Sequence, residues 1–275
     1  MATRVFSYEY FIKRSIEMDR TEYKLPDYSL KSFLSVKKKL NIKKGDPNSQ
    51  SIKKTIVVKQ EEHIATLFKY FNKITDKTYD KLSSEILTMV SHSTLDKKKV
   101  YDAFSKVVLN NAFFSSLYAK IYKGLIEIDD EFINILKLNI YKYGDHIRNI
   151  SYVSPNDNYD KYCDHVKQIE NIHNFTTFLV HCCKYQIIQI EMMIDLALTF
   201  QKLCLENIDD EEKILTNEIY VNNTIMIFKG LYSSFDDHST WNDFIQTHKQ
   251  LVDCDGDGKN KKIHFKLLDI TENLS

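Results

Sequence analysis

Glycine and proline are nearly missing from this chain, at six and three of 275 residues. Sandwiches, barrels and doubly wound sheets turn often and tightly, and such turns depend on those two residues. A chain without them is restricted to long elements with few sharp reversals, which points to helices. Apolar residues make up 43% of the sequence, enough for a globular core. The length suits one large domain or two small ones.

From about residue 59 the apolar residues recur at helical spacing. His63, Leu67, Phe68, Phe71 and Ile74 form one stripe, and Tyr79, Leu82, Ile86, Leu87 and Val90 the next. Val100, Phe104, Val107 and Val108 follow, then Phe114, Leu117, Tyr118, Ile121 and Leu125. Thr78 is placed to cap the second of these helices, and Ser93 or Thr94 the third. Further helices are predicted near 130–147, 160–183, 185–205, 211–232, 239–252 and 260–272, with residues 151–158 as the main internal break. About ten helices with short links pack as antiparallel pairs. The expected fold is therefore all-α, an α-solenoid of about five HEAT-like pairs over residues 59–275. Such a stack presents a long curved surface, suited to extended binding more than to closed-site chemistry.

Residues 1–58 read differently. They hold Pro26, Pro47 and the turn-like Lys44-Gly45-Asp46-Pro47-Asn48-Ser49, and are expected to be a mostly disordered basic arm with one or two short helices. Net charge is zero overall, yet residues 1–60 carry 14 Lys/Arg against 6 Asp/Glu. That excess suits a polyanion such as RNA, or else a solvated tail. Abundant Lys, Asn, Ile and Tyr suggest AT-rich coding, so a single Lys or Asn says little. The five cysteines are odd in number and include an adjacent pair, which reads as reduced thiols of an intracellular protein. Arg4, Lys13 and Arg14 break any signal-peptide pattern. The longest apolar stretch, 187–200, contains Gln189, Glu191 and Asp195 and is no membrane span.

Three segments, in order, resemble the middle domain of eukaryotic translation initiation factor four-gamma. Leu67-Phe68-Lys69-Tyr70-Phe71-Asn72-Lys73-Ile74-Thr75 with Tyr79-Asp80-Lys81-Leu82 is similar to that family's "LNKLT…FDKL" stretch. Ala112-Phe113-Phe114-Ser115-Ser116-Leu117-Tyr118-Ala119 with Leu125 resembles "EPNFS..YA…L". Lys262-Ile263-His264-Phe265-Lys266-Leu267-Leu268-Asp269-Ile270 resembles "RIRFMLQDV". Together they frame residues 59–273. The chain departs from the family pattern where Ala112 stands for Pro, Phe113 for Asn, Asn111 for an acidic residue and His264 for the second Arg.

The resemblance implies a cytoplasmic translation-initiation scaffold, monomeric when free, that clamps a DEAD-box RNA helicase. By analogy Asn72, Lys73 and Asp76 face one helicase lobe, and the acidic stretch 205–258, with 12 Asp/Glu against 3 Lys, serves the other. Tyr28, Phe33 and Leu34 resemble the Tyr-x4-Leu-hydrophobic peptide that docks on the cap-binding protein. Sequence-independent RNA binding is expected at Lys37, Lys38, Lys39, Lys43, Lys44, Lys53 and Lys54. Read without the family, most of the motif residues are inter-helix packing: Phe71, Ile74, Phe114, Tyr118 and Leu125 point inward and leave Ser115 and Lys120 exposed. Related middle domains in mRNA decay or nuclear cap binding offer an alternative adaptor role.

No catalytic or cofactor set emerges. Asp253-Cys254-Asp255-Gly256-Asp257-Gly258 opens like a calcium loop, but its twelfth position is His264, where a bidentate Glu is needed. His181-Cys182-Cys183 lacks the second ligand pair of a zinc site. No phosphate loop, zinc-protease or serine-hydrolase motif appears. An all-helical enzyme is the contrasting reading, and it would require a deep pocket with converging polar groups.

Overall fold

A computed structural model describes residues 47–150, 152–154, 156, 158–235, 239–255 and 260–274, with side chains from Gln60 onward except Asp255 and Leu274. The chain divides into two compact units, residues 1–58 and 59–275. Of the first unit only residues 47–58, the opening of a helix, are described.

Every regular element among the described residues is helical. The α-helices are α1 (Pro47–Asn72), α2 (Tyr79–His92), α3 (Lys97–Val108), α4 (Ser115–Ile128) and α5 (Glu131–Arg148). After them come α6 (Tyr159–Lys184), α7 (Ile190–Glu206), α8 (Ile214–Leu231), α9 (Trp241–Asp255) and α10 (Lys261–Leu274). Short 3-10 turns, Ala112–Phe114, Glu211–Lys213 and Tyr232–Ser234, lead into α4 and α8 and out of α8.

Alternate helices stack. The even-numbered helices pack in succession, α2 on α4, α4 on α6, α6 on α8 and α8 on α10. The odd-numbered ones pair beside them, α3 with α5 and α7 with α9. Consecutive packing of α4 with α5, α6 with α7, α7 with α8 and α9 with α10 joins the two rows. This is a two-layer helical stack, consistent with an α-solenoid.

The apolar periodicity explains the burial, with local corrections. On α1 the buried stripe is Leu67 and Phe71, continued by Ile74 just past the helix end, with Ile64 packed against it, whereas His63 and Phe68 face outward. The shift follows from spacing: 64, 67, 71 and 74 alternate by three and four, and 63 and 68 lie off that line. On α3, Val100, Tyr101, Ala103, Phe104, Val107 and Val108 are all buried. Phe104 is the hub, with its ring 5.2 Å from Phe71, 6.1 Å from Tyr118, 5.2 Å from Tyr122 and 5.7 Å from Phe178. One side chain thus joins α1, α3, α4 and α6.

The caps differ from the expected ones. Asp96, not Ser93 or Thr94, begins α3, its carboxylate accepting from the backbone N–H groups of Lys98 and Lys99 at 2.9 and 3.2 Å. An ionised acceptor suits a helix N-terminus better than a hydroxyl does. Ser93 instead donates back to the Met89 carbonyl. The α6–α7 connection is a Schellman turn: Ile187 N–H reaches the Cys182 carbonyl and Gln186 N–H the Cys183 carbonyl, both at 2.9 Å. It places Gln186 at a φ of 60°, a left-handed conformation usually left to glycine. The turn fixes Tyr185 at the helix end.

Candidate partner-binding face

The α1–α2 connection holds its shape without a glycine. Asn72 Nδ2 donates to the Phe68 carbonyl at 3.1 Å, closing the last turn of α1. Ile74, buried, pins the chain to the core. The Thr78 hydroxyl donates to the Lys73 carbonyl at 2.6 Å and accepts the Thr75 N–H at 2.9 Å. Thr78 stands at the N-terminus of α2 as expected, but its hydroxyl braces the preceding loop and makes no cap bond to the helix. Side-chain bonds of this kind satisfy loop backbone that would otherwise need water. The result is a braced turn from which Asn72, Lys73 and Asp76 all project into solvent.

Beside this turn the stack adds groups that no local sequence pattern reveals. The Lys120 ammonium of α4 lies 5.8 Å from the Tyr79 ring centre and 5.7 Å from that of Tyr185. Both distances fall within the range of a cation–π contact. The Ser116 hydroxyl and the Tyr185 hydroxyl are 2.8 Å apart. Burial, followed by the nearby Tyr185 and Asp80, raises the Tyr79 phenol above its usual pKa, so it remains a neutral donor. One residue each from α2, α4 and the end of α6 thereby forms a strip that starts three residues from Asp76. Lys120 is exposed, as its sequence position suggests. Tyr185 is 65 residues away in sequence and carries no motif.

The second resemblance motif sits on α4 and the turn before it. Tyr118 and Leu125 are buried and Phe114 is half-buried against the core. Ser115, expected at the surface, is fully buried at the start of α4. The reason is geometric: Ser115 lies three and four residues from Tyr118 and Ala119 and shares their inward face. Phe113, by contrast, is 85% exposed.

Asn72, Lys73 and Asp76 are thus gathered on one turn. Lys53 and Lys54 fall on α1, in the part whose side chains are not described. Tyr28, Phe33, Leu34, Lys37, Lys38, Lys39, Lys43 and Lys44 lie outside the described residues. So does much of the acidic turn after Cys254, since 256–259 are not described.

The adjacent thiols Cys182 and Cys183 show no reactive setting. Burial pushes the Cys182 thiol well above its usual pKa. It also pushes Cys183 up to about 11, with the Glu191 charge adding to the effect. Both are protonated at neutral pH, and a thiol is a poor nucleophile or metal ligand. Among the described residues no cluster of three or more His, Cys, Asp or Glu gathers to hold a metal ion. No described helix is long and apolar enough to cross a membrane. The face offers one carboxamide, two cations, one carboxylate and two phenols that bracket the second cation, a set suited to recognition.

Comparison with known protein families finds no matching family model, and comparison with curated proteins finds no matching relative.

Proposed function

We propose that this protein is a HEAT-like α-solenoid of about five helix pairs that acts as a cytoplasmic translation-initiation scaffold and carries out no chemistry of its own. In this reading a DEAD-box RNA helicase docks on Asn72, Lys73 and Asp76. RNA is held by the basic N-terminal residues, and the cap-binding protein by Tyr28, Phe33 and Leu34. The free protein is a monomer.

One observation carries the reading. The turn that the family resemblance assigns to the helicase is exposed, braced by Thr75 and Thr78, and leads into α2, which packs on α4 in the helical stack. A prearranged turn binds without first being ordered, so more of its contact energy appears as affinity. A scaffold that grips a two-lobed enzyme better in its closed form shifts that enzyme toward closure by the difference in affinity.

The test is the RNA-dependent ATPase rate of a cognate DEAD-box helicase with and without the full-length protein. Stimulation of about tenfold is expected. It should fall to near the unstimulated rate with the triple variant Asn72→Ala, Lys73→Glu, Asp76→Lys. Absence of stimulation by the wild-type protein, or full stimulation by the variant, overturns the reading.

A further inference from the structure

Two open clefts lie along the odd-numbered helices. The first, about 310 Å³, is formed by α3, α5 and α6. Its floor is apolar: Tyr101, Ile172 and Phe175 are buried, and the Tyr143 ring meets Phe175 edge-on at 4.9 Å. The Tyr143 hydroxyl turns inward, 2.5 Å from the Thr176 hydroxyl and donating to the Ile172 carbonyl at 3.1 Å, so it does not serve the cleft. The rim is polar, with Asp102 from α3, Lys142 and His146 from α5, and Gln168 and Asn171 from α6. The second cleft, about 450 Å³, lies between α1 and α3 and is lined by Ile64, Ala65, Phe68 and Ala103 with Glu61, Lys99 and Lys106. Asp102 lines both, so the two clefts adjoin.

We propose that the two clefts form one docking track for a linear peptide of a partner protein, with an apolar anchor for each cleft and acidic residues flanking the anchors. Three features define this occupant. Neither the Gln168 nor the Asn171 carboxamide bonds to a described residue, and each offers one donor group and one acceptor. Three residues apart on α6, they sit on one side of the helix and can pair with the N–H and C=O groups of an extended backbone. Each apolar floor takes one side chain. Finally, three lysines, Lys99, Lys106 and Lys142, line the clefts against two acids, Glu61 and Asp102, and form no ion pair with a described residue; the surplus cation favours carboxylates on the ligand. A continuous phosphate chain fits less well, because it would have to pass the Asp102 carboxylate where the clefts meet.

The probe is a phage-displayed random heptapeptide library panned on the full-length protein. The best peptide is then measured by fluorescence anisotropy against wild type, Lys142→Glu, Lys106→Glu and the double variant Gln168→Ala, Asn171→Ala. Circular dichroism checks that each variant folds, and Lys202→Ala, at an exposed position on α7, serves as a control outside the track. Selected peptides should carry two apolar residues with Asp or Glu at their flanks. Lys142→Glu and the double carboxamide variant should each weaken binding by about tenfold or more, and Lys202→Ala by less than about twofold. The proposal is overturned if panning yields no specific peptide, or if the lysine and carboxamide variants bind it as wild type does. It is equally overturned if oligouridylate displaces the peptide and binds the track in its place.

Discussion

Helices α1–α5 and α6–α10 share one packing plan but fill it with different side chains. Among the described residues of α1–α5, Ser115 is the only buried polar one apart from tyrosines. In α6–α10 the buried set includes Asn174, Thr176, Gln201, Asn217, Asn223, Thr224 and His248. Tyr143 links the two regions, since its hydroxyl contacts Thr176, whose own hydroxyl donates to Asn223 Oδ1 at 2.7 Å. Gln201, by contrast, finds no protein partner for either amide atom, and Asn217 Oδ1 and His248 Nδ1 find none either, against Ser115 Oγ alone in α1–α5 among the described residues. A buried polar group costs free energy unless it is bonded, whereas an aromatic hub carries no such liability. The first region is therefore built to hold a surface rigid, and it bears the braced α1–α2 turn. The second depends on hydrogen bonds that solvent conditions can disturb.

The sharpest way to break this contrast is at its apolar end. Phe104→Ala should cost about 3–5 kcal/mol, because the vacated space lies among four rings from three other helices and cannot easily collapse. Urea unfolding followed by circular dichroism would measure it. Hydrogen exchange should quicken first in α1, α3 and α4. A loss below about 1 kcal/mol would mean that the hub is not what holds the first region together.

Acid should act on the other region. His248 on α9 is buried and stacks on Phe244. The Thr271 hydroxyl donates to the Leu267 carbonyl at 3.1 Å, so at 3.0 Å it accepts the hydrogen of His248 Nε2. Burial lowers the pKa of this imidazole from 6.5 to about 4, only partly opposed by the Leu267 backbone. Above pH 6.5 the ring is neutral in both folded and unfolded chains, and its contribution is complete. As the pH falls from about 6.5 to about 4 the unfolded chain gains a proton that the folded one resists, and stability declines by about 3 kcal/mol. His173, half-buried on α6, is depressed by burial and then by the Lys266 charge, and works in the same direction. Hydrogen exchange at about pH 5 should thus rise in α9 and α10 before α2–α4, and His248→Phe should flatten the pH profile. Equal acid sensitivity in the two regions would remove the contrast.

Helix positions were readable in the sequence because three-and-four spacing is local. What was not readable depended on contacts between distant residues or on competition within one turn. His63 and Phe68 looked like members of the α1 stripe, but Ile64 sits on the buried line. Ser93 and Thr94 had the chemistry of a cap, and the carboxylate of Asp96, two or three residues on, took the role. The exposed turn at Asn72, Lys73 and Asp76 follows from its place between two stripes. The Tyr79–Lys120–Tyr185 bracket does not, since only the stacking of α2, α4 and α6 brings those residues together. The two clefts were hidden for the same reason: their walls come from helices that meet only in the folded stack.

The finest probe of the contrast is a methyl group added at a helical glycine. At Gly144 on α5 a Cβ would meet nothing within 4 Å. Gly144→Ala should therefore stabilise the protein by about 0.5–1 kcal/mol through helix propensity alone. At Gly230 on α8 the same Cβ would lie 2.5 Å from Val180 Cγ1. Valine is branched at Cβ and has few rotamers to retreat into, so α6 and α8 would have to separate. Overpacking of that kind costs about 1–3 kcal/mol, more than the propensity gain returns. Gly124 on α4 lies between these cases: its nearest neighbour, 2.8 Å away, is the tip of Leu87, a side chain that can swing aside. Thermal melts of the three alanine variants should rank Gly144 above wild type, Gly124 near it and Gly230 below. If Gly230→Ala melts with or above wild type, the α6–α8 contact is looser than the buried Thr176–Asn223 hydrogen bond across it implies.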